Sequence, residues 1–306
     1  METLSKIFEY FMLALPQAAI LALVTFAITL IFKTSFTTNF AQGMIGAYVA
    51  YFIMRFQVVT LVKWFPNMSG LGHLVIAIII GMLFGFLIGI FIDTILIRKS
   101  RYSTVLSKQM ITMGIVLVIT GLLPTVYKDS FDNPASMPRL AEGNITILGV
   151  SMLKHNLYTI IISFVIILTL FLALKYTKWG LGVRSTAANE RVASLMGVNT
   201  RFITAMSWGI ASAIGALAAT LYAANNQTLG LNLMGFNQVN GFLAAILGGF
   251  STFHGPVIGA IIIPILSLEM RLFTTIWNNS IVYIIVMFII LVKPVGLFGK
   301  KVIKKV

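Results

Sequence analysis

Nine runs of apolar residues, separated by short polar segments, divide the sequence from end to end. They lie at about 11–32, 38–54, 72–96, 105–126, 157–174, 203–223, 239–250, 256–273 and 281–293. A straight helix needs about 20 apolar residues to cross about 30 Å of hydrocarbon, and several runs reach that length while others fall short. The pattern predicts an all-α, polytopic membrane protein with a single transmembrane domain over residues 1–306.

Two of the shorter runs, 38–54 and 239–250, are rich in Gly and Ala and open with amides. These amides are Asn39 and Gln42 in the first run and Asn237, Gln238 and Asn240 in the second. Short, Gly-interrupted segments in corresponding places of two halves point to broken helices that line a central path. On this interpretation the amides are candidate residues of a translocation path, together with Gly43, Gly248 and Gly249. The alternative is that each run forms an ordinary short helix.

The composition agrees with a chain whose main solvent is lipid. Hydrophobic residues make up 58% and charged residues 10% of the chain, and the mean hydropathy is +0.98, whereas soluble domains carry about 25% charged residues. The net charge of +14 would suggest nucleic acid in a soluble protein. Here the basic residues mark orientation, so no nucleic-acid partner is predicted.

Lys and Arg residues concentrate in a few connecting segments. Fifteen of the 22 are Lys33 or lie in 97–108, 175–203 and 293–305. Basic loops face the cytoplasm in membrane proteins. This predicts a cytoplasmic C-terminus, an outward N-terminus and an extracellular loop over 127–156.

Chemistry typical of an enzyme or an ion-coupled carrier is missing from the sequence. Only Asp93 and Glu269 among the eight acids lie inside apolar runs, both near run ends, where local helix pairing accounts for them. The three histidines are scattered and there is no cysteine. We predict no catalytic residue, no metal site and no bound cofactor. The Gly296–Lys300 stretch is too short for a phosphate-binding loop. We therefore expect that this chain cannot hydrolyse ATP alone.

The 175–203 segment predicts a helix outside the bilayer. It contains Ala187, Ala188, Glu190, Ala193 and Leu195, which are good helix formers, and a stop signal at Gly197. We expect two to three turns with small residues on one side. Small side chains would let this helix sit deep in a groove of a partner protein. An amphipathic helix resting on lipid headgroups is the alternative.

Four stretches resemble known transporters. The order Ala187, Glu190, Ala193, Gly197 resembles the cytoplasmic coupling motif of bacterial ABC importer permeases. Three further stretches are similar to motifs of the branched-chain amino acid permease family. They are NFAQG and GAYVA within 39–50, AAILGGFSTFHG at 244–255, and LVKPVGLFG at 291–299. The four lie in order from residue 39 to 299, so the resemblance covers nearly the whole chain.

The resemblance implies a permease subunit of a binding-protein-dependent importer in the bacterial inner membrane. Its expected partners are a second permease, identical or homologous, two ATPase subunits that bind ATP and Mg, and an extracellular binding protein. The expected ATPase contacts are Ala187, Ala188, Glu190, Ala193, Leu195 and Gly197. The expected cargo is branched-chain amino acids or a related small solute. The alternatives are a related importer for nucleosides, sugars or amides, and a self-contained secondary carrier.

Overall fold

The computed structural model describes residues 2–100, 104–129 and 136–299, and these residues form eleven helices and one hairpin. The helices are α1 (Glu2–Ser35), α2 (Gln42–Arg55, extended by Phe56–Leu61 and Val62–Trp64), α3 (Gly70–Phe91, extended by Ile92–Ile97), α4 (Val105–Val126), α5 (Lys154–Tyr176), α6 (Lys178–Ala188), α7 (Glu190–Leu195), α8 (Thr200–Asn226), α9 (Gly235–Gly248), α10 (His254–Glu269, then a 3₁₀ turn Met270–Leu272) and α11 (Asn278–Val292). Strands β1 (Asn144–Ile147) and β2 (Val150–Leu153) pair antiparallel, with Asn144 opposite Leu153.

The predicted all-α membrane architecture is confirmed. Each of the nine apolar runs is helical, and seven helices are long and apolar enough to cross a membrane. The other two runs form α9 and α11, which have 14 and 15 residues.

Helix α2 is longer than its apolar run. The run ends at residue 54, but the helix continues to Trp64 and reaches 23 residues through a π-helical turn at Phe56–Leu61. Arg55 and Gln57 interrupt the hydrophobic pattern without breaking the backbone, because Arg and Gln are good helix formers. The prediction of a short helix was therefore wrong for α2 and correct for α9.

Helices α1 and α8 form the centre of the bundle. Helix α1 packs on α5, α8, α9 and α10, while α8 packs on α2 and α3 as well. Glycines bring α3 and α8 together, because residues without a side chain let two helix backbones approach closely. A Cβ on Gly89 would lie 2.3 Å from the Trp208 carbonyl oxygen, and one on Gly85 would lie 3.2 Å from that of Ser212.

The segments rich in Lys and Arg meet at one end of the bundle, here named the basic end. Lys33 Nζ donates to Ser251 O over 2.7 Å, and Arg98 Nη2 donates to Arg201 O over 2.7 Å. The opposite end, named the hairpin end, carries β1 and β2 and the Arg55–Asp129 ion pair, at 3.4 Å. The described parts of the 127–156 loop lie there. Residues 130–135 of the loop and 300–306 of the tail lie outside the described residues.

Candidate functional site

Buried amide side chains join the starts of two helices. Gln238, in the first turn of α9, accepts a hydrogen bond from Gly43 N over 2.6 Å. Its Nε2 donates to Asn39 O over 3.1 Å, just before α2. Gln42 accepts from Asn39 Nδ2 over 3.1 Å. With Asn237 these residues form the amide cluster, from which α2 and α9 both begin.

Two contacts place the amide cluster halfway along the bundle. Gln42 Nε2 donates to Ala211 O over 2.8 Å, near the middle of α8. Gln17 Nε2, near the middle of α1, donates to Asn237 Oδ1 over 2.6 Å. Because α1 and α8 are long enough to span a membrane, the cluster lies near mid-depth. From there α2 runs to the hairpin end and α9 runs to the basic end.

The amides satisfy backbone N–H groups at the start of α2, where Asn39 Oδ1 accepts from Ala41 N over 3.0 Å and Gln238 Oε1 accepts from Gly43 N. The first turn of a helix has free N–H groups and a positive partial charge. Asn39 and Asn237 are 0% exposed and Gln42 is 1% exposed, so an unpaired polar group here would be costly. The structure thus brings four of the five predicted amides together, buried and hydrogen-bonded. That they line a translocation path stays a prediction.

The predicted path glycines divide between two places. Gly43 belongs to the amide cluster, whereas Gly248 and Gly249 lie at the far end of α9. Gly249 has φ +97°, and a Cβ there would lie 2.7 Å from Val295 O. The C-terminal stretch docks on this turn, with Leu297 N donating to Leu247 O over 2.7 Å. Gly249 is therefore needed for a close backbone approach.

The segment between α5 and α8 contains two helices rather than the single helix predicted. Asn189 separates α6 from α7 with φ −163°, and its Oδ1 accepts from Val192 N over 3.1 Å. Ala187 and Ala188 therefore end α6, while Glu190, Ala193 and Leu195 belong to α7. The signal missed was Asn189 itself, because Asn is a preferred N-cap residue. Gly197, with φ +85°, follows the end of α7 as predicted.

Large apolar side chains are exposed on α7, beside the exposed polar residues Glu190, Arg191 and Ser194. Leu195 is 82% exposed, Met196 80% and Val192 53%, whereas Ala193 is 4% exposed and packs inward. Ala193 packs inward because α7 lies against α6 and α8, so other side chains of α7 are the ones open to a partner. Clustered apolar side chains on an exposed helix are typical of an interaction surface. We name Val192, Leu195 and Met196 the α7 surface.

A groove of about 710 Å³ lies beside the end of α6. It is lined by Phe32, Lys33, Phe36, Arg184, Ala187, Ala188, Phe250, Ser251 and Phe253. Lys33 links the α1 wall to the turn between α9 and α10. Its Nζ donates to Ser251 O and lies 5.1 Å from the centre of the Phe253 ring, and both residues belong to that turn. The end of α6 therefore faces both the end of α1 and the turn between α9 and α10.

A buried ion pair fixes the start of α8, directly after α7. Asp93 has a side chain only 4% exposed and accepts from Arg98 Nη2 over 2.6 Å. Thr204 Oγ1 lies 3.4 Å from the same carboxylate oxygen, and Arg98 also holds Arg201 O. The expected local pairing of Asp93 is thus present, and it ties α3 to α8.

Seven helices that are long and apolar enough to cross a membrane, with two helix starts meeting between them, define a polytopic membrane protein. A family model described as the permease component of the branched-chain amino acid transport system matches residues 10–291. The chain belongs to this family.

Relatives of the family align along almost the whole chain. The chain is 25% identical over 300 residues to the high-affinity branched-chain amino acid transport system permease protein LivH of Salmonella typhimurium, covering 93% of both chains. It is 22% identical over 294 residues to BraD of Pseudomonas aeruginosa, a permease protein of the same description, again covering 93% of both. The solved structure of PsaBC from Streptococcus pneumoniae in complex with Fab aligns with a TM-score of 0.48 and 15% identity, over 93% of this chain and 91% of that one.

Proposed function

We propose that this chain is the membrane subunit of an ATP-binding cassette importer for branched-chain amino acids or a related small solute. The observation that carries the proposal is the exposed α7 surface at the basic end of a chain from this permease family. The subunit would pair with a second permease, two ATPase subunits that hold ATP and Mg, and an extracellular binding protein. The ATPase would contact α7.

The basic end is the cytoplasmic end in this proposal. Lys33, Arg98, Lys108, Arg184 and Arg201 lie at that end, and basic segments are retained in the cytoplasm. The same orientation puts α7 and the C-terminus within reach of a cytoplasmic ATPase. It puts the β1–β2 hairpin and the N-terminus outside.

The packing offers a route from the ATPase to the membrane interior. Movement of α7 would shift α6, whose end faces α1 and the α9–α10 turn across the groove. Helix α9 is tied to α2 through Gln238. Pushing α6 would therefore change how α1, α2 and α9 fit together, which is the kind of two-state rearrangement that alternating access requires.

Uptake by the assembled complex tests the proposal. The complex in proteoliposomes should take up radiolabelled L-leucine only with ATP and the binding protein. Leu195→Asp should abolish this uptake and the co-purification of the ATPase, because a charge would be desolvated in an apolar contact. The matched control is Leu148→Asp at the hairpin end, where Leu148 is 78% exposed and has φ +50°, which Asp tolerates.

Two results would contradict the proposal. Uphill uptake by this chain alone, without ATP, would favour a self-contained secondary carrier. Full uptake and normal co-purification with Leu195→Asp would remove the α7 surface as the ATPase contact.

A further inference from the structure

The groove beside the end of α6 combines two basic side chains with an aromatic wall. Lys33 comes from the end of α1 and Arg184 from the second half of α6, and both line the same groove of about 710 Å³. Ala187 and Ala188 line it too, and their small side chains fill little of it. The aromatic lining consists of Phe32, Phe36, Phe250 and Phe253. The groove therefore offers positive charge and apolar surface together.

Neither of the two cations has an acidic partner among the residues that the structure describes. The ion pairs of those residues join Arg55 to Asp129, Arg98 to Asp93 and Arg139 to Glu142. Lys33 Nζ donates to Ser251 O, which uses one of its three N–H groups. Arg184 Nη2 reaches Lys175 O only at 3.5 Å. Both side chains thus keep N–H donors for an anion.

The charges of the neighbouring segments indicate that this anion comes from outside the chain. Glu190, the acid nearest to α6 in the sequence, forms no ion pair with a described residue. The last seven residues, 300–306, lie outside the described part and include four lysines. They would add positive charge to the groove rather than neutralise it.

The groove lies at the depth of lipid headgroups. Helix α5 ends and α6 begins within a stretch that holds Lys175, Tyr176, Lys178 and Trp179, and such basic and aromatic residues are typical of the membrane–water interface. Lys175 Nζ lies 4.9 Å from the centre of the Tyr176 ring, and Tyr176 is 70% exposed. Because Arg184 reaches back to Lys175 O, the groove and this interfacial stretch are neighbours.

Apolar surface continues from the groove toward the middle of the membrane. Val257 lies about one helical turn after Phe253 and lines a second cavity, of about 350 Å³, between α1, α5 and α10. The lining of that cavity is apolar except for Ser163. A ligand held at the groove by its anionic end can therefore lay hydrocarbon along this surface, which a free phosphate ion cannot do.

We propose that the groove binds an anionic phospholipid. Its phosphate accepts hydrogen bonds from Lys33 Nζ and the Arg184 guanidinium, and its acyl chains lie on the aromatic wall and point toward the second cavity. Basic pockets between membrane helices are suited to anionic headgroups. The lipid would join α6 to α1 and to the α9–α10 turn. This site goes beyond the proposed function, because it requires neither the cargo nor the ATPase.

Lipid binding to the full chain tests the proposal. The delipidated chain in a neutral detergent is titrated with phosphatidylglycerol or with phosphatidylcholine, and native mass spectrometry measures the affinity of each. A basic residue near an anionic lipid changes the affinity about fivefold. With two such residues, the wild type should prefer phosphatidylglycerol by about tenfold or more. Glycerol 3-phosphate, which has the phosphate but no acyl chains, should not displace the bound lipid.

Variants assign the two contacts. Arg184→Gln should weaken phosphatidylglycerol binding about fivefold, and it should fold normally because Arg184 is exposed. Arg184→Lys keeps the charge and should retain most of the preference. The double variant Lys33→Gln, Arg184→Gln should bind both lipids about equally. Its matched control is Lys178→Gln, Arg191→Gln, which removes two charges from the same end but outside the groove and should keep the preference.

Four results would overturn the site. Equal affinity of the wild type for both lipids would show that the groove does not select an anion. An equal loss of preference in the control double variant would show unspecific attraction to the basic end. Displacement of the lipid by glycerol 3-phosphate would indicate a site for free phosphate. An unchanged lipid preference in the groove double variant, together with lost co-purification of the ATPase, would assign the groove to a protein contact.

Discussion

The close approach of α3 and α8 at Gly89 can be tested by adding a single methyl group. In Gly89→Ala the new Cβ would lie 2.3 Å from Trp208 O and 2.7 Å from Trp208 C. These are backbone atoms in the middle of a helix, and Trp208 is 0% exposed. The clash therefore cannot be relieved by a rotamer change and must push the two helices apart.

The size of the effect follows from a matched glycine. Gly114 lies in α4, and a Cβ there would meet nothing within 4 Å. Replacing Gly by Ala in a helix gains up to about 1 kcal/mol from propensity at either position. The difference between the free energies of unfolding of Gly89→Ala and Gly114→Ala cancels that gain. It leaves the cost of overpacking, about 1–3 kcal/mol.

Unfolding by SDS titration in mixed micelles measures both free energies. We expect Gly114→Ala to match or slightly exceed the wild type, and Gly89→Ala to be less stable than Gly114→Ala by the overpacking cost. Equal stabilities of the two variants would show that α3 and α8 do not meet at Gly89, and the centre of the bundle would have to be arranged differently.

Two further predictions use the same unfolding assay. Arg98→Met should destabilise the protein by about 2–3 kcal/mol, at or below the lower end for a broken buried pair, because Arg98 is 33% exposed while Asp93 is 4% exposed. Adding Asp93→Asn should recover most of the loss, and a double variant as unstable as the single would contradict the pairing. Gln238→Leu should cost about 2–4 kcal/mol and speed amide exchange at Gly43, since it leaves Gly43 N–H and Asn39 C=O unpaired. Unchanged exchange at Gly43 would contradict the amide cluster.

The sequence predicted the helices well but did not show which of them lie at the centre of the bundle. The most apolar 18-residue stretch of α5 has a mean hydropathy of 2.8, and that of α1 has 2.2. Only 17% of the α5 stretch is buried inside the bundle, whereas 78% of the α1 stretch is buried. In a soluble protein the polar face of a helix marks the solvent side. In lipid both faces are apolar, so hydropathy alone cannot show which helix lies at the centre. Small residues show instead where two helices meet, as Gly85 and Gly89 of α3 do against α8.

The candidate site was likewise only partly predictable from the sequence. The amides at the starts of α2 and α9 stand out locally, because polar residues in short apolar runs are unusual. Their partners are not local, since Gly43 and Gln238 are 195 residues apart in the chain. Sequence patterns within a run could therefore identify the residues but not show that they bond one another. The break at Asn189 is different, because a cap residue was present in the sequence to predict it.

The position of Gln17 connects the proposed transport with the architecture. This side chain lines a cavity of about 240 Å³ on the hairpin side and holds Asn237 of the amide cluster, so it lies between that cavity and the part of α9 that runs to the basic end. At mid-depth this hydrogen bond holds α1 and α9 together. Both helices also meet at the basic end, where Lys33 of α1 holds Ser251 after α9, beside the end of α6. In the proposed importer, a displacement of α6 would therefore act on the same pair of helices that the Gln17–Asn237 bond joins at mid-depth.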